Sequence, residues 1–311
     1  MIRENSMSKV YAAVVAVACC ASVAHAADEK PNLNVVHRIK AEAAEGKVMD
    51  HLFWLTDANG PRLTNSPGYR KAAEWALKNL QSWGAANAHL EKWGTFGRGW
   101  SLDRFSFNMV KPVYTPLHGA PKAWSGSTNG KVTADVVFAP LFKKGDTNER
   151  SIPKLTAAIK KYMDEHKGQL RGKIVLLSDE REFEVRKEPT IVRLDDPKLQ
   201  QMVAAPELEP KKPYEWPLME VPSDQKERRA LMASLPTEVI WDYYARQERV
   251  TDVLYDFFAK EGVVAVLSNV SRGEGGVVFA ESEGDWQLKA PIPIPSIVLA
   301  PEQYNRLVRL A

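Results

Sequence analysis

A reactive centre built from side chains needs histidines, carboxylates, serines or cysteines at spacings that let them converge. Beyond the N-terminal segment this chain has His37, His51, His89, His118 and His166. None opens an H-E-x-x-H helix or a His-x-Asp step, the two spacings that would place metal ligands side by side. The nearest approach is His89-Leu90-Glu91, where a strand would put His89 and Glu91 on one face; a solvent-facing histidine is the plainer account. His37 and His51 fall in one helical stretch but too many turns apart to meet. Serine chemistry has no G-x-S-x-G elbow, and "WSGST" (124–128) lacks the strand-to-helix context such an elbow needs. "SRGEGG" (271–276) matches neither phosphate-binding pattern and reads as a hairpin turn. Asp195-Asp196 sits in a polar tract and reads as solvated, while Asn269-Val270-Ser271 fits the glycosylation sequon. No catalytic, cofactor-binding or metal residue is assigned.

Both cysteines, Cys19 and Cys20, lie in the N-terminal segment. There Arg3 and Lys9 precede the apolar run Val10–Val23, and Ala24-His25-Ala26 is a small-x-small cleavage site. This predicts a signal peptide over 1–26, cut after Ala26, and a secreted or periplasmic protein. The run is too short to span a bilayer, which takes ~20 residues. The mature chain then has no cysteine, which excludes disulfides, thiolate metal sites and cysteine nucleophiles.

Of 311 residues, 44% are hydrophobic and 26% charged, a globular composition with ample chain for a core. The 42 Lys+Arg and 39 Asp+Glu give +3 with no basic patch, which argues against nucleic acid as a partner. Val35–Leu55 has helical periodicity, and Ala27–Asn34 reads as disordered. After the turn-rich "TDANGPRLTNSPG" comes a well-marked helix. Asn65 or Ser66 can cap it, Pro67 suits its first turn and Gly84 its stop. Tyr69, Ala72, Ala73, Ala76, Leu77, Leu80 and Trp83 share its apolar face. Short strands are expected at 88–93, 104–110 and 131–139, a helix over Ile152–His166, and a doubly buried strand in "GKIVLLSD" (172–179). The Pro-rich tract 184–236 reads as a surface excursion. A long helix over Thr237–Lys260, strands at 262–270, 275–281 and 295–300, and a helix over Glu302–Leu310 complete the pattern.

Two blocks carry a family resemblance. "LTDANGPRLTNSPGYRKAAEWALKNLQSWGAANAHLEKWGTFGRGWSLDRF" (55–105) resembles the opening of zinc-dependent exopeptidases of the aminopeptidase Y and glutamate carboxypeptidase II family. Their loop, roughly G-x-R-x-x-G-S-P-G, and following helix are matched at Gly60, Arg62, Ser66, Pro67, Gly68, Ala73, Leu80 and Gly84. Asn65 stands where glycine is usual, and asparagine tolerates positive φ better than most residues. "GKIVLLSD", "AKEGVVAVLSNV" and "APIPIPSIVLAPEQYNRLVRL" resemble, in that order, the protease-associated domain inserted in such enzymes.

The resemblance implies an α/β (α+β) fold. Residues 33–125 would begin the peptidase domain and 130–311 would form a β-rich protease-associated domain with a helical excursion at about 184–260. It implies peptide or protein substrates and two zinc ions in the intact enzyme. Those zinc ions are held by a His-x-Asp step and further ligands, with a Glu-Glu base. This sequence has neither step. The chain is therefore expected to be an N-terminal fragment, inactive alone, whose helix 67–84 buries part of its apolar face against a missing C-terminal peptidase domain. No membrane partner is expected after signal removal. The other reading is a secreted, non-catalytic protease-associated module that binds peptides or proteins.

Overall fold

The computed structural model describes residues 31–183, 187–189, 191–204, 214–273 and 275–311. The expected signal peptide, with Cys19 and Cys20, lies outside the described residues, as do parts of the Pro-rich tract. The chain divides into two units, one ending at Gly60 and one running Pro61–Ala311.

In the first unit, helix α1 (Leu33–Ala44) starts where the Asn32 side chain accepts from the Asn34 and Val35 amides. That cap makes Leu33 and Asn34 helical, against the expected disorder. The single helix expected over Val35–Leu55 is interrupted at Gly46. It resumes as α2 (Val48–Phe53), which runs into a π-helical turn, Trp54–Ala58. None of these three helical pieces contains a buried residue.

The second unit is α/β. Helix α3 (Pro67–Ser82) opens it, followed by an antiparallel pair, β1 (Asn108–Met109) and β2 (Thr115–Pro116). A five-stranded mixed sheet then forms from β3 (Gly119–Pro121), β4 (Val136–Phe138), β5 (Ile174–Leu176), β6 (Ala265–Asn269) and β7 (Ser296–Leu299). Its order is β3-β7-β6-β5-β4; β4 to β7 run parallel, and β3 is antiparallel to β7. The strands expected at 88–93 and 275–281 do not form, and 104–110 and 131–139 shrink to β1 and β4.

The apolar runs that predicted doubly buried strands need cover on both faces, and they have it. On one face, α4 (Ile152–His166) and the long α7 (Thr237–Glu261) pack Leu155, Ile159, Tyr162, Leu254 and Phe258 onto Val175 and Val266. On the other, α8 (Pro301–Leu310) places Tyr304 and Leu307 with Met109 and Leu117 against Ile174, Leu176, Leu267, Ile297 and Leu299. The tract 184–236 is only partly an excursion. It contains α5 (Asp196–Val203) and α6 (Gln225–Ser234), and its Leu218, Val221 and Leu235 form a third core with Ile152, Val239 and Tyr243. Among the described residues no helix is long and apolar enough to cross a membrane.

Helix α8 is tied to the sheet in part by one phenol. The Tyr304 hydroxyl donates to the Ser178 carbonyl at 2.8 Å and accepts from the Ser178 amide at 2.9 Å, just past β5. Tyr304→Phe strands both part-buried Ser178 groups. It is expected to cost about 1–3 kcal/mol in equilibrium denaturant unfolding; no loss would show that water replaces the phenol.

Candidate functional site

The loop entering α3 is built around two polar residues. Ser66, 2% exposed, caps the helix: its Oγ accepts from the Tyr69 amide at 3.1 Å. Asn65 takes φ 60°, which turns the chain into the cap, and its carboxamide donates to the Gly97 carbonyl at 2.8 Å. Gly97 and Gly99 permit this contact. A Cβ on Gly99 would lie 2.2 Å from the Asn65 carbonyl oxygen, and one on Gly97 2.4 Å from that of Trp286. Between them the Arg98 amide donates to the Trp286 carbonyl at 2.7 Å, and its guanidinium to that of Asp285 at 2.8 Å. Phe96 stacks on Trp286, centroids 4.6 Å apart and planes 16° from parallel. Residues 96–99 thus form a rail held between the 61–66 loop and the 284–288 loop.

Beside this rail lies a cavity of about 400 Å³, lined among others by Tyr69, Arg70, Lys92, Trp93, Phe96 and Leu288. Helix α3 contributes its first turns to the wall. Further along its apolar face Ala76 and Leu77 are half-buried, while Leu80 and Trp83 are exposed, Trp83 by 61%.

The second polar centre is a clasp around Lys122, just after β3. Its Nζ lies 2.8 Å from Glu283 and 3.5 Å from Glu281, with the Lys122 and Glu283 side chains only 11% and 10% exposed. Glu281 also accepts from the Ser271 hydroxyl at 2.7 Å. Tyr255 of α7 lies beside Glu283. Burial first, and the charge of Glu283 next, hold its phenol well above the usual range, so it remains a donor. The backbone repeats the tie, since the Ala123 amide donates to Glu281 and the Ala123 carbonyl accepts from Glu283. A smaller pocket of about 60 Å³ beside the clasp is lined by Asp252, Asp256 and Asp285 with Pro291 and Pro293. Partial burial, then Asp256, Asp285 and Glu283, raises the pKa of Asp252; partial burial, then Asp285 and Asp252, raises that of Glu248. The arrangement locks the 281–285 loop to β3 and α7.

The histidines stay apart. His37 and His51 lie on α1 and α2, and the His89 Nδ1 sits 2.7 Å from the Asn87 carbonyl. The His118 amide bonds the Gln303 side chain, and His166 packs on Tyr162 at 4.3 Å. Among the described residues no group of three His, Cys, Asp or Glu can hold a metal ion. Asn269 of the sequon is engaged, donating to Asn305 at 3.1 Å beside the fully buried Val270. The clasp was not foreseen. Its only local signal is Glu281-Ser-Glu283, a two-residue spacing that puts both acids on one side of an extended chain.

No family model matches the chain, and no curated protein matches it in sequence. Similar solved structures include an aminopeptidase from Aneurinibacillus sp. strain AM-1, at 12% identity and TM-score 0.31, covering 84% of this chain and 39% of that one. Another is BSAP, a zinc aminopeptidase from Bacillus subtilis, at 12% identity and TM-score 0.34, covering 84% of this chain and 40% of that one. The chain thus spans well under half the length of either. Likeness at this level says nothing of activity.

Removing the Lys122 ammonium leaves two carboxylates facing each other with little water. Lys122→Met is expected to cost about 3–5 kcal/mol in denaturant unfolding; a neutral result would mean the acids are solvated without it. The raised pKa values of Asp252 and Glu248 mean that the folded state holds their protons more tightly than the unfolded chain. Their contribution is therefore most favourable below the ordinary carboxylate range and is lost as pH rises through it toward the raised native values. Asp252→Asn should raise the melting temperature at pH 7 and leave it unchanged below about pH 4. Destabilisation at pH 7 would reverse the assignment.

Proposed function

We propose that this chain is the N-terminal part of a secreted metallo-aminopeptidase and that it takes part in peptide-bond hydrolysis only as part of the intact enzyme. The observation that carries this reading is the geometry of the loop and helix on which the family resemblance rests. Asn65 stands where that family has glycine, and it adopts φ 60°, the conformation glycine would supply most easily. Ser66 and Pro67 then cap and start the helix, and Gly84, just past it, takes φ 81°. A backbone that meets the conformational demands of that loop supports the reading.

The zinc pair of that family does not fit the residues present. The histidines are scattered, and the chain has no His-x-Asp step and no Glu-Glu pair, so no catalytic step is assigned to this chain. In the proposed enzyme the metals and the base would be supplied by sequence other than these residues. The chain's own contribution would be the opening loop and helix together with the α/β body that follows.

Two measurements test the proposal. The protein, incubated with zinc and an aminoacyl-anilide, is expected to release no product above buffer and to retain no stoichiometric metal after desalting. Turnover with bound zinc would overturn the reading. The genomic frame beyond codon 311 is expected to continue and to encode His-x-Asp and Glu-Glu. A stop codon there would favour the peptide-binding module instead.

A further inference from the structure

The cavity beside the first turns of α3 combines features that the proposed hydrolysis leaves unused. Its volume, about 400 Å³, falls in the range of small-molecule sites. One wall is fixed in advance. Phe96 is stacked on Trp286, Gly97 is clasped by Asn65, and Arg98 is tied to the Asp285 and Trp286 carbonyls. A wall set before binding loses little freedom when a ligand arrives.

The remaining lining offers two kinds of contact. Trp93 is 83% exposed and Tyr69 47% exposed, so two aromatic side chains on opposite sequence segments border the same space while keeping much of their area in water. Arg70 and Lys92 also line it, and neither forms an ion pair among the described residues. Glu91 is the one acid in the lining, which leaves a net positive charge, reinforced by the positive end of the 16-residue helix α3. Aromatic faces recognise a flat or apolar ring, while guanidinium and ammonium groups recognise an anionic oxygen pair.

We propose that this cavity binds an aromatic carboxylate, with the ring against Tyr69 and Trp93 and the carboxylate on Arg70 and Lys92.

N-acetyl-L-phenylalanine is a direct probe, followed by isothermal titration calorimetry on the whole protein. Saturable binding is expected, with N-acetyl-L-phenylalaninamide about tenfold weaker because it lacks the charge. Arg70→Gln should weaken the acid about tenfold and leave the amide unchanged, whereas Trp93→Ala should weaken both. Both side chains are exposed, so the variants should melt with the parent protein; Lys92→Gln provides the same charge test should Arg70→Gln melt early. Absence of saturable binding, equal affinity for acid and amide, insensitivity to Trp93→Ala, or equally tight binding of inorganic phosphate would each overturn the proposal.

Discussion

Strands β5 and β7 are buried along their whole length, as are the first three residues of β6. Apolar strands of this kind cannot leave one side to water, so the chain must bring helices to both faces of the sheet. That demand explains the crossover helices α4 and α7 on one side and the return of α8 to the other. It also explains why part of the Pro-rich tract becomes core. The N-terminal half of α7 extends beyond the sheet, and Leu218, Val221 and Leu235 cover it there with Ile152.

With the sheet covered, the loops at its border are held by polar ties rather than by apolar area. Lys122 joins β3 to the loop carrying Glu281 and Glu283, and that loop reaches α7 through Tyr255. Arg98 and Trp286 continue the chain of contacts to the 96–99 rail, and Asn65 carries it to the cap of α3. The loop and helix around α3 and the α/β body are therefore linked through backbone carbonyls and one buried ion pair. Such ties depend on orientation more than on area, so they fix geometry with few residues. They also define the fixed wall of the cavity, which is why that wall has a shape before any ligand is present.

Much of the scaffold was legible in the letters. The 3.6-residue spacing of Leu155, Ile159 and Tyr162 marks α4, and the continuous run Ile174–Leu176 marks a strand without a wet face. Shorter segments misled. "AHLEKW" has the composition of a strand, yet no neighbour pairs with it, and a strand exists only by its partner. "GGVVFAE" fails for the same reason. At the candidate site the sequence suggested a loop and a cap, but neither the cavity nor the clasp, because the residues that make them are apolar or singly charged and follow no motif.

What the sequence alone determined is local. It narrowed the cap to Asn65 or Ser66, and it specified the helices whose apolar stripe repeats with their own pitch and the apolar runs that must be buried on both sides. Each depends on residues within a turn or two of one another. Only the tertiary structure decided that Lys122 meets Glu283, 161 residues away, and that Arg98 meets Asp285, 187 residues away. It likewise decided that Asn65 turns on a carbonyl beyond the helix it introduces. Those partners are brought together by the folding of the sheet and its covering helices, and no periodicity in the chain records them.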